Sequence, residues 1–248
     1  MNVRTEYAQT NVQLFNQLRA EGYSRDDRQL VFRAYEFGMR LFSGLFLPSG
    51  KPFIDHLVGT ASILASLHMP THIVSAGMIH AAYLHGDFGS GRGGITRARQ
   101  QAVRNAVGEA VEEYVERYQR LKWVPDQISR LRSSLDELTA KDREVLLIRL
   151  VNEFEHHLDL GALYFAGKAQ IEHKRYLERY GSMIVEMTQR LGFPQLAANI
   201  DAVFAETIKT TLPVEACIGT TRDQAYLVGP SSYRERRWIP PLRKLLQG

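Results

Sequence analysis

The stretch AYEFGMRLFSGLFLPSGKPFIDHLVGTASILASLHMPTHIVSAGMIHAAYLH (34–85) decides the fold class. Its apolar residues recur at helical spacing, and Pro48-Ser49-Gly50 and Pro70 punctuate it. Upstream, Ser24 with Asp27 has the form of a capping box. It opens a helix to about residue 45 that aligns Leu30, Ala34, Phe37, Leu41 and Leu45. Pro52 suits the first position of a third helix, to about Leu67, and Pro70-Thr71 opens a fourth that ends near His85-Gly86. Before these lies an amphipathic stretch, about 8–21, carrying Val12, Phe15 and Leu18.

Downstream the pattern stays helical. The glycine-rich GDFGSGRGG (86–94) is a loop, and Thr96 caps a helix that Gly108 splits before Trp123-Pro125. A short turn over 126–133 follows. Thr139 with Asp142 opens a strong helix to about Leu160, and further patterns cover 170–191 and 195–209. Alternating β-branched runs are absent. The expectation is an all-α fold with one domain over 1–211 and an irregular basic extension over 212–248.

Composition narrows the class. A chain of 248 residues, 44% hydrophobic and 23% charged, can bury one large core. Cys217 is the single cysteine, which excludes a disulfide framework and any cysteine-rich metal site. No apolar run approaches the roughly 18–20 residues of a membrane span. The start, MNVRTEYAQTNVQLF, has no signal-peptide pattern, so a cytoplasmic location is expected. The formal net charge of +4 sits in 222–248, where Arg222, Arg234, Arg236, Arg237, Arg243 and Lys244 face Asp223 and Glu235. The remainder is neutral, so nucleic acid is not the expected partner. Trp238 beside Pro240-Pro241 reads as an anchor, either on the body or on a second copy in a homodimer.

Two histidines are placed for chemistry. His56 and His80 lie inside apolar stretches of consecutive helices, and a buried imidazole needs a partner for each nitrogen. His80 shares a face with Ile73, Gly77 and Leu84, so its ring should point inward. The 86–94 loop, with Arg92 before the helix start at Thr96, can receive an anion or serve as a plain connector. The stripes Val103/Val107/Ala110/Tyr114/Tyr118 and Leu147/Leu150/Phe154/Leu158 read as core.

Ala34-Tyr35, Ser49-Gly50-Lys51-Pro52-Phe53-Ile54, His56 and Met78-Ile79-His80-Ala81 together resemble the start of an HD domain. The likeness is greatest to the hydrolase half of the RelA/SpoT guanosine-tetraphosphate enzymes, with a weaker echo at Ile148-Arg149-Leu150-Val151-Asn152-Glu153. The resemblance implies an HD-like helical fold and a hydrolase that holds one divalent metal, often manganese, through two His and two Asp. Such a site lowers the pKa of a bound water and polarises phosphate. His56 and His80 fall on the two His positions. Ala81 and Asn152 replace the two Asp, which removes the charge that would balance the ion.

The expected metal ligands are therefore His56, His80 and Asn152. His85 and Asp87 are candidate catalytic substitutes, and Arg92 and Arg149 candidate holders of a small phosphorylated ligand. Glu153 and His156 are further candidates, while the His156-His157 pair is expected to be exposed. Three readings stay open. One is a divergent metal-dependent phosphohydrolase. Another is a metal-free enzyme using His56 and His80 as acid and base. The third is a non-catalytic binding or scaffold protein with satisfied core imidazoles.

Overall fold

The computed structural model describes residues 7–47, 49–89, 93–164 and 168–211. Pro48, Arg92, Cys217, Trp238 and the whole 212–248 extension lie outside the described residues, and so do the expectations placed on them. The fold is all-α. Among the described residues no strand forms, and the isolated bridge between Phe46 and Pro52 closes a turn.

The helices follow the capping signals. Thr10 caps α1 (Asn11–Ala20) and Ser24 caps α2 (Arg25–Phe42), each in a reciprocal capping box. Such a cap stabilises its helix by about 1 kcal/mol. Pro52 precedes α3 (Phe53–Ser66) and Pro70 precedes α4 (Thr71–Ile79). A short α5 (Ala82–His85) leads into the loop. Next come α6 (Arg97–Val107), α7 (Glu109–Arg120), α8 (Pro125–Ser133) and α9 (Ala140–Leu158). The 3₁₀ turn Gly161–Tyr164 joins α9 to α10 (Lys168–Arg190), and α11 (Pro194–Lys209) packs back on α10.

Apolar content sets the layering. In α4 the residues from Ile73 to Ile79 are all buried, because a short helix with no polar face must be covered on every side. It packs against α2, α3 and α7, and α9 closes the same core against α3, α7 and α4. The pair α10/α11 covers the far side of α9. No described helix is long and apolar enough to cross a membrane.

Some faces differ from the sequence expectation. In α1 the buried residues are Leu14 and Leu18, while Val12 is exposed. Ala110 is exposed and Val111 buried, because Gly108 at φ +89° restarts the helical phase between α6 and α7. The fourth helix stops at Ile79 rather than at His85-Gly86. There the His80 ring nitrogen takes the Gly77 carbonyl at 2.8 Å, the group that the next helical N–H would otherwise use. Leu84 is consequently exposed instead of sharing the face of His80.

Candidate functional site

His56 on α3 and His80 at the end of α4 are buried side by side, with ring centroids 5.4 Å apart edge-to-face. Asn152 on α9 completes the group, its Oδ1 lying 2.9 Å from His56 Nε2. The three expected metal ligands thus come together. Two residues missed in the sequence join them. Glu155, fully buried, meets His56 Nδ1 with Oε2 and the Lys51 ammonium with Oε1. Lys51 also reaches Asp159 at 3.5 Å.

The hydrogen bonds fix the proton positions. His80 Nδ1–H donates to Gly77 O, which fixes its tautomer. Asn152 Oδ1 accepts from His56 Nε2–H. His56 Nδ1 meets the Glu155 carboxylate. Burial opposes the Glu155 charge, but Lys51 and His56 outweigh it and hold its pKa below the usual carboxylate value. Burial, followed by the neighbouring His56, lowers His80 to about 3.

This donor set does not suit a divalent ion. Both His56 nitrogens and His80 Nδ1 are engaged by protein groups, Ala81 offers no donor, and the nearby carboxylate is neutralised by Lys51. Among the described residues no group of three or more His, Cys, Asp or Glu is arranged to hold a metal. Nor does His80 suit acid–base work near neutrality, since an imidazole of pKa about 3 is a weak base there.

Gly59 is where α3 admits this network. A Cβ there would lie 2.5 Å from Glu155 Oε1 and 2.9 Å from its Cγ. Gly59→Ala is expected to destabilise the protein by about 1–3 kcal/mol through overpacking. A urea titration checks it, and an unchanged midpoint would show that Glu155 can move aside.

The remaining candidates separate. His85 is exposed, packs on Phe53 with centroids 5.7 Å apart, and is lowered by burial and then by His56. Asp87 is exposed and its carboxylate accepts from Gly89 N–H at 2.8 Å. No hydrogen bond links either residue to His56 or His80 among the described contacts. Arg99, in the first turn of the helix that follows the loop, is buried, donates to Gly94 O at 2.7 Å and covers Phe88.

The cleft lies elsewhere, one helical turn along α9. A cavity of about 280 Å³ is lined by Trp123, Arg149, Glu153, His156, His173 and Tyr176, with His157 and Ala162 at its base. His156 connects it to the polar network, stacking on His56 at 4.3 Å. The expectation that His156-His157 would be exposed is wrong: His157 is fully buried and His156 half-buried. The pair α10/α11 covers what would otherwise be the wet face of α9.

Arg149 pairs with Glu153, donates to Tyr118 OH at 2.9 Å and lies over the Trp123 ring at 5.1 Å. Its buried Nε has no hydrogen-bond partner among the described residues. Burial works against its charge, but Tyr118 and Glu153 keep it firmly protonated. Trp123 Nε1–H donates to Tyr176 OH at 2.8 Å, holding both rings. His157 and His173 stack, with their Nε2 atoms 3.2 Å apart. One of those nitrogens must carry the proton and the other accept it. Burial lowers both, His157 to about 3.

A family model described as Domain of unknown function (DUF6817) matches residues 46–122, less than half of the chain. The matched segment carries His56, His80 and Ala81 but ends before Trp123, Arg149 and Asn152. No curated protein matches the chain.

Proposed function

We propose that this chain is an HD-like helical protein that binds a small molecule without a metal, in the cleft bounded by Trp123, Arg149, His156 and Tyr176. The observation that carries this reading is the division of roles along α9. Asn152 and Glu155 turn into the core and engage both nitrogens of His56, whereas Arg149, Glu153 and His156 line an open cavity. Lys51 supplies the positive charge that a divalent ion would otherwise bring to the buried group. Concave sites with aromatic walls and a few convergent polar groups are where small ligands bind. Arg149 retains its expected role as a ligand contact, now on aromatic walls rather than beside a metal.

The test is a small-molecule panel of neutral, anionic and phosphorylated compounds, scored by thermal shift and by amide chemical shifts, with and without Mn²⁺. A true ligand at about 100 times its Kd stabilises by about 2.7 kcal/mol, worth roughly 5–10 °C in a chain of this size. That shift is expected to be metal-independent and lost in Arg149→Met. Stabilisation that requires Mn²⁺ and maps to His56 and His80 would restore the metal-dependent phosphohydrolase reading.

A further inference from the structure

Resting on that reading, the geometry points to a narrower class of ligand. We infer that the cleft accepts an uncharged, planar heteroaromatic molecule of one or two rings and discriminates against anions of the same shape. Three observations carry this. The first is size: about 280 Å³ falls just below the roughly 300–1,000 Å³ of sites for drug-sized ligands.

The second is the walls. Trp123, Tyr176, His156 and His173 present rings, and flat ligands gain most from offset or edge-to-face packing on such surfaces. The Trp123–Tyr176 hydrogen bond and the guanidinium over the indole hold two of the walls in place before any ligand arrives.

The third is charge. Arg149 is the cation among the described lining residues, and Glu153 neutralises it directly. The lowered imidazoles add no positive charge near neutrality. An anion entering here would be desolvated beside a carboxylate with no uncommitted positive group among the described residues to receive it. A neutral ring edge with alternating donors and acceptors meets no such penalty. Arg149 and Glu153 stand next to each other as donor and acceptor.

The experiment holds shape constant and changes charge. Nicotinamide and nicotinate are titrated into the ¹⁵N-labelled full chain at pH 7.5, with inorganic phosphate as a third probe, and the backbone amide resonances of His156 and Tyr176 are followed. Nicotinamide is expected to bind with a Kd on the order of a millimolar, as suits so few atoms, and at least tenfold more tightly than nicotinate. Trp123→Ala should abolish the response. Trp123→Phe, which keeps a ring in the wall, should retain it within a few-fold, and thermal melts of both variants verify that they fold. Nicotinate or phosphate binding as well as nicotinamide would overturn the charge inference while leaving a ligand cleft in place. Silence from all three probes at 20 mM would overturn the inference. If the broader panel were silent too, the ligand-binding reading would fall with it.

Discussion

Acidification from pH 7 to pH 5 is expected to remove roughly 4 kcal/mol of stability, about 2 kcal/mol from each of His80 and His157. Both imidazoles are buried and neutral, lowered to about 3 by loss of solvent and then by neighbouring histidines. The unfolded chain, with histidine near 6.5, takes up protons that the folded chain refuses. Stability is therefore intact above about pH 6.5 and is lost as pH falls through the interval toward 3. His156, also lowered, acts in the same direction. Glu155, held below its usual value, adds to the loss only at the acidic end. Against a typical total of 5–15 kcal/mol, the loss is large. At roughly 2–4 °C per kcal/mol, the melting temperature should fall by on the order of 10 °C between pH 7 and 5. His157→Leu should flatten part of that slope. A melting temperature unchanged over those two pH units would mean that these rings are not held neutral by burial.

Glu155→Gln should be the most damaging single substitution in the polar network. The carboxylate is fully buried, balances Lys51 and contacts His56 Nδ1. Removing one partner of a buried ion group leaves the other charge uncompensated, which costs about 3–5 kcal/mol. Lys51 is partly accessible and has Asp159 within 3.5 Å, so the lower end, about 3 kcal/mol, is expected. Chemical denaturation measures it. Arg120→Ala is the control: the exposed Arg120–Glu116 pair should change stability by less than about 0.5 kcal/mol. If Glu155→Gln and Arg120→Ala were equally mild, the buried group would not be the central support described here.

Most of the helix order was legible in the sequence because caps and breakers are local. Ser24, Thr96, Gly108 and Thr139 act through their own neighbours, and each stands where its chemistry requires. The end of α4 was not legible, since it depends on a side chain taking a backbone carbonyl three residues back. His56, His80 and Asn152 lie together, but Glu155 was missed as their partner, and His156, though named as a candidate, was expected to be exposed. Glu155 and His156 lie three and four residues after Asn152, so they share its side of the helix. The rule that charged residues face water hid them. That rule fails on α9 because α3 covers one side and α10/α11 the other. Lys51 lies just before α3, and only the tertiary fold brings it to a carboxylate 104 residues away. The cleft was the least legible feature, because Trp123, Arg149 and Tyr176 come from three separate stretches of chain.

The most direct test of a metal-free polar network is a Mn²⁺ titration followed through the histidine side-chain ¹H–¹⁵N resonances at pH 7.5. His80 is expected to appear as the neutral tautomer protonated at Nδ1, and one equivalent of Mn²⁺ should leave the His56 and His80 signals unbroadened. Selective broadening of those two rings at stoichiometric Mn²⁺ would contradict it, because the ion could then displace Asn152 and Glu155 from the imidazole nitrogens.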